Sequence, residues 1–274
     1  MDAQWTCPSC GSTVTSPYCG NCGERRVGDA AAGEPSRSFI GRLLASLRAL
    51  ASPPGRLTAD WIRGRRVGYL APLSLFLWIN VAFFLIQSAS GLGILTWPLR
   101  IHLSDDSIAW LTTRLLAEHR PDMATPTSAY ADIFNALETV HAKSLVIVMV
   151  PAFATVLAML LVDRRVRFTD SLTFATHFFT FALLWLCALF PAVALVLRLS
   201  TAGRMHASLP HFLDVVVTFF EAAVLAGYLY VALDVAFAVS RPRRLFTALA
   251  LVASLWVILM AYHVVVFAVT LYSI

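Results

Sequence analysis

A mainly α-helical polytopic membrane bundle of about five spans, led by a small N-terminal zinc ribbon, is the fold class this sequence predicts. Composition is the first reason. Of 274 residues, 58% are hydrophobic and only 14% charged, where an average soluble domain carries about 25% charged residues. The apolar residues gather into runs long enough to cross a bilayer. The second reason is the pairing of Cys7-Pro-Ser-Cys10 with Cys19-Gly-Asn-Cys22 just ahead of those runs.

Residues 1–26 form the ribbon. Zinc takes four thiolates in a tetrahedron, and two Cys-x-x-Cys turns supply them. Cys7, Cys10, Cys19 and Cys22 are therefore the expected ligands of one structural ion. Glycine follows three of the four (Gly11, Gly20 and Gly23), which admits the tight or left-handed backbone a knuckle needs. Trp5 and Tyr18 are placed to pack over the site. A closed four-cysteine site has no open position for catalysis, so its contribution is folding energy. A redox dithiol lacks the surrounding βαβ pattern. Nucleic-acid binding is disfavoured, since the ribbon's basic residues are only Arg25 and Arg26 and no base-reading helix follows. Protein docking or a purely structural role is left. Cys187, alone in a span, reads as a packing residue.

Residues 27–36 are small, polar and punctuated by Pro and Gly, a linker. Residues 37–67 are the approach to the membrane. Phe39, Ile40, Leu43, Leu44, Leu47 and Leu50 recur at helical spacing with Arg42 and Arg48 between them. That is an amphipathic helix, lying either in the inner interface or on the bundle itself. Pro53-Pro54 ends it.

The membrane domain, 68–274, holds spans at 68–90, 144–162, 172–199, 212–239 and 245–272, each long enough for a core of about 30 Å. Pro191 is expected to kink the third. With the N-terminus in the cytoplasm, inner segments hold 15 of the 21 Lys and Arg residues and outer segments hold 6. The positive-inside rule then sets the N-terminus inside and the C-terminus outside, and a reducing cytoplasm suits free thiolates. The N-terminus is polar rather than basic and then apolar, so no cleavable signal is expected. Segment 92–143 faces outward and carries two helix-like stretches. Ile108, Leu111, Leu115 and Leu116 line one, after Asp105-Asp106-Ser107. Ile133, Phe134, Leu137 and Val140 line the other, after Thr127-Ser128. At about 50 residues this segment is too small for a core of its own and is expected to rest as a cap on the outer surface.

The knuckles, followed by Pro54-Gly55, Gly64-Arg65-Arg66, Tyr69 and Pro72, resemble an uncharacterised family of bacterial inner-membrane proteins with an N-terminal zinc ribbon, defined only as a domain of unknown function. The likeness covers about residues 7–85, and Glu24 stands where that family commonly has glutamine. It implies membrane location and zinc, and no activity. In physical terms, Arg63, Arg65 and Arg66 sit at headgroup level, Tyr69 joins an aromatic belt, and Pro72 opens a helix where its missing N–H is harmless. Either a structural anchor or an anionic-lipid contact satisfies that pattern.

Ionisable residues inside spans are costly and default to functional candidates. Asp170 and Asp214 fall in first turns, where the helix dipole accepts them. Glu221 and His263 lie at one depth on antiparallel spans and are a possible intramembrane polar pair, as a hydrogen-bonded clasp or a proton or metal relay. His177 and Asp234 share a depth near the inner face, with Asp234 in reach of the inner arginines, and Asn80 is mid-span. No HExxH, GxSxG, Walker loop or GxGxxG is present. The functional expectation is a scaffold, adaptor or regulator that meets a protein partner through the ribbon. A transporter or channel subunit using Glu221 and His263 is the alternative, and a membrane-embedded enzyme acting on lipid is a weaker one.

Overall fold

The computed structural model describes residues 4–7, 10–21, 23, 26, 38–90, 93, 95–121, 127–164, 166–200 and 211–274. Cys22 and the linker 27–36 lie outside them. The ribbon opens with two short antiparallel strands, β1 (Trp5–Thr6) and β2 (Thr13–Val14), with Trp5 opposite Val14.

α1 (Phe39–Ala51) starts at Ser38, whose hydroxyl accepts the Gly41 amide at 3.2 Å. α2 (Arg56–Ile62) follows a turn in which Gly55 adopts φ +86°. A side chain there would be strained, and its Cβ would lie 2.6 Å from the Ala232 carbonyl oxygen. This is how the α1–α2 hairpin comes to sit directly on the membrane helices. Leu43, Leu47, Ala49 and Leu50 pack on the bundle core, while Ile40 and Leu44 remain 65% and 60% exposed. One face of the helix thus covers protein, and the other leaves Ile40 and Leu44 exposed.

Among the described residues, five helical rods are long and apolar enough to cross a membrane. The first is α3 (Pro72–Ser90), with Pro72 at its opening position. After it come α4 (Leu99–Ser104) and α5 (Ala109–His119). α6 (Ser128–Leu145) is capped by Thr127 and runs through a 3-10 turn at Val146–Val148 into α7 (Met149–Leu160), giving one 33-residue rod. The helix that carries the expected span 144–162 therefore begins at Ser128, and its first part, α6, packs against the last helix. α8 (Phe168–Ser200) continues through Pro191. α9 (His211–Phe237) and α10 (Arg241–Ser273) complete the bundle.

α8 packs on α3 and α7, and α10 packs on α7 and α9. The main core joins Phe76 and Phe83 of α3, Phe153 of α7, Phe178 of α8, Leu229 of α9 and Leu251 of α10, with Phe153 stacked on Phe178 at 4.7 Å. Large apolar side chains also cover the outside, among them Leu85, Phe219, Phe246 and Trp256. A water-facing surface rarely carries so much contiguous apolar area, whereas lipid solvates it freely. The chain is an integral membrane protein.

The segment before and within α6 makes a smaller core at the end of the bundle far from the ribbon. Leu99, Leu116, Tyr130 and Phe134 close over Phe267 and Leu271 of α10. This segment covers that end of the bundle and completes its core by borrowing the end of the last helix.

Candidate functional site

The two knuckles fold alike. Gly11 N–H donates to the Cys7 carbonyl and Gly23 N–H to the Cys19 carbonyl, each at 2.8 Å. Gly11 and Gly23 take φ +71° and +79°, the left-handed geometry that glycine adopts without penalty. This turns the sulfurs of Cys7, Cys10 and Cys19 inward until all lie within 4.8 Å of one another. Cys7 and Cys19 are buried, and Val14 and Trp5 pack beside them. Trp5 is fixed by its indole N–H to the Ser16 carbonyl at 2.9 Å, and Tyr18 is half exposed. Side-chain and backbone contacts with Ser12 hold the Cys10 thiol down at about 6. A thiol that deprotonates easily is what a soft metal requires. Three close thiols suit a metal ion.

The two knuckles differ in what they face. A Cβ on Gly11 would meet nothing within 4 Å. A Cβ on Gly23 would lie 1.7 Å from the Gly64 carbonyl oxygen and 2.5 Å from the Arg66 amide nitrogen. The second knuckle is seated on the Gly64-Arg65-Arg66 turn, where Gly64 itself takes φ +85° and is buried. Arg66 donates from Nη1 to the Asn21 carbonyl at 2.9 Å and from Nε to the Trp61 carbonyl at 3.3 Å, with its guanidinium 5.2 Å from the Trp61 ring. Asp60 organises the turn. Its backbone carbonyl accepts the Arg65 amide, its carboxylate accepts the Tyr69 hydroxyl at 2.9 Å, and Arg56 and Arg65 lie at 3.7 and 3.5 Å. Arg63 and Arg65 are exposed.

The other sequence-predicted groups are spread through the bundle. Asp234 pairs with the buried Arg244, whose guanidinium also stacks 4.2 Å above Tyr230. His177 shares a 2.9 Å hydrogen bond between Nδ1 and Thr58 of α2. Asn80 donates to the Lys143 carbonyl at 3.3 Å. Asp170 meets Arg167. The side chains of Pro191 and Asp214 lie outside the described residues. Glu221 is half-buried on α9, while His263 is buried on α10 and stacks on Trp97 at 3.9 Å. Among the described residues no hydrogen bond or ion pair joins Glu221 to His263.

Three residues around His263 escape a reading of spacing alone. His102 is fully buried, 5.9 Å from the His263 ring, and among the described residues neither of its ring nitrogens makes a hydrogen bond. Burial holds it down at about 4. Glu138, 1% exposed, accepts the Trp97 amide at 2.9 Å. Thr112 donates to the His102 carbonyl at 2.6 Å. The available signal was Glu138 standing at four-residue intervals in Tyr130, Phe134, Glu138 and Ala142, all buried on α6.

No curated protein and no solved structure matches the chain. Residues 41–84, from α1 through the hairpin and the Gly64–Arg66 turn into α3, match a family described as a protein of unknown function, DUF3667.

Proposed function

We propose that this chain is an integral adaptor or regulator of a bacterial inner membrane, whose cytoplasmic ribbon holds one structural zinc ion through Cys7, Cys10, Cys19 and Cys22. The observation that carries the reading is the Cys7–Cys10–Cys19 cluster seated at the mouth of the first span, with its first knuckle facing outward. The arginine bias toward the ribbon side supports a cytoplasmic N-terminus. A partner protein meets the outward knuckle and the half-exposed Tyr18. Arg63 and Arg65 lie beside anionic headgroups.

The test is co-purification from native membranes of the wild type and of Cys7→Ser/Cys10→Ser, with membrane level and zinc content measured in parallel. Loss of a partner, with zinc lost and membrane level kept, supports the adaptor reading. Zinc loss with an unchanged set of partners refutes it.

The buried polar group at the far end favours a second reading, a transporter or channel subunit. Among the described residues neither the Nδ1 of His263 nor the ring nitrogens of the neighbouring His102 make a hydrogen bond there. Proton-coupled uptake into vesicles would fall in His263→Phe or Glu221→Gln. Uptake unchanged in both removes this reading.

A further inference from the structure

We infer that the ribbon is a metal-dependent clasp on its own membrane-entrance turn, formed by the second knuckle alone. The inference rests on the metal-binding reading above and goes beyond it, because a structural metal site says nothing about what the folded ribbon holds.

The two knuckles supply an internal comparison. They share the same Cys-x-x-Cys-Gly sequence pattern, the same amide-to-carbonyl bond and the same left-handed glycine. Only one is closed upon by another part of the chain. Gly23 has Gly64 and Arg66 backbone atoms where a side chain would begin, and a Cβ built on Gly64 would lie 3.4 Å from the Gly20 carbonyl oxygen. Backbone meets backbone across this joint, so glycine is required on the ribbon side for contact as well as for conformation. Arg66 then fastens it, donating to carbonyls of both parts, Asn21 in the knuckle and Trp61 in α2.

The thiols supply the dependence. A short two-stranded hairpin with three buried apolar side chains has too little core to hold a fold; bound metal gives such a ribbon its folding energy. When the metal leaves, the knuckle loses its shape and Arg66 loses the Asn21 carbonyl. Its guanidinium then needs another acceptor, and it stands beside the exposed Arg63 and Arg65. Metal occupancy thereby decides whether Arg66 is held by the ribbon or released at the membrane surface.

The test is hydrogen exchange over residues 60–70 of the full chain in nanodiscs, with metal content measured on every sample. Chelation should speed exchange at the Gly64 and Arg65 amides, which donate to the Trp61 and Asp60 carbonyls, by on the order of tenfold or more, leaving α8 unchanged. Gly11→Ala and Gly23→Ala carry the same backbone strain. Metal-loaded Gly23→Ala should exchange as the chelated protein does, and Gly11→Ala as the wild type does. Arg66→Gln, which leaves the ribbon intact, should speed exchange partway and decides the matter if Gly23→Ala fails to load metal. Equal exchange in the two glycine variants, or slow exchange in both Arg66→Gln and the chelated protein, overturns the clasp. A wild type that binds no metal fails the metal reading instead, whereas metal binding with chelation-insensitive exchange fails only the clasp.

Discussion

Protonation of His102 should loosen the cap at the end of the bundle opposite the ribbon. His102 is fully buried, with no geometric hydrogen bond to either ring nitrogen among the described residues, and burial lowers its pKa from 6.5 to about 4. A base depressed in this way binds fewer protons closed than open. The closed cap therefore keeps its full stability above the ordinary histidine pKa, loses it as pH falls from 6.5 toward 4, and loses no more below that. Between pH 7 and pH 5 this loss is about 1.8 kcal/mol, which multiplies the open population about 20-fold. The titratable neighbours are Asp105, whose charge favours protonation, His263 and, through Trp97, Glu138. Glu138 acts with the opposite sign: burial raises its carboxyl to about 7, so its protonation on acidification favours the closed cap. The contribution of His102 is therefore read as the difference between the wild type and His102→Phe, an aromatic among Trp97, Phe134 and Phe267. Between pH 7 and pH 5, hydrogen exchange of α4 and α5 in nanodiscs should gain that factor in the wild type relative to the variant, while α3 and α8 stay flat. The same pH response in both proteins would refute the assignment.

Two backbone positions give opposite expectations. Gly55→Ala places a side chain at φ +86° and 2.6 Å from the Ala232 carbonyl oxygen; the conformation alone costs about 1–2 kcal/mol, and a lower melting temperature with early exposure of α1 should follow. Gly227, with ordinary φ and nothing within 4 Å, should accept alanine with a gain of about 0.5–1 kcal/mol, read in the same melts. Thr58→Val strips the buried Nδ1 of His177 of its partner and should cost about 1–3 kcal/mol. In His177→Phe the same threonine change should cost less, and an unchanged cost in a double-mutant cycle would show that the bond contributes nothing.

The cysteine cluster and the long apolar helices were legible because each follows from spacing. Metal geometry demands two close cysteine pairs, and a bilayer demands long apolar runs. The Asp234–Arg244 pair was also legible, since a carboxylate two turns from a basic helix start has few other partners. The outward segment was harder. Ile133, Phe134, Leu137 and Val140 look like one buried stripe, yet Ile133 and Val140 are more than half exposed while Tyr130, Glu138 and Ala142 are buried beside Phe134. Near a membrane the apolar stripe of a helix is free to face lipid, and polar groups turn toward protein. Apolar periodicity therefore finds the helix and misnames its inner face. That same inversion hid Glu138 and His102. The joint of Gly23 with Gly64 was hidden for a different reason: 41 residues apart, two glycines carry no side-chain pattern that links them.

The hairpin's own anchors set how far a change at the metal can travel. Gly55 abuts Ala232, Tyr228 donates its hydroxyl to the Leu50 carbonyl at 3.2 Å, and Thr58 bonds His177. None of these contacts involves the ribbon, and each ties α1 or α2 to α8 or α9. On the clasp proposed above, loss of a metal from the cysteines would leave the hairpin docked and the bundle closed. What it would free is the stretch between the end of α2 and the start of α3, where Gly64 and Arg66 sit. The structure divides these parts, with a core-anchored hairpin on one side and a turn met by the knuckle on the other. The matched stretch, 41–84, contains the hairpin, the turn and the first span together. That is the smallest unit in which a ribbon held at the turn could act on the membrane helices.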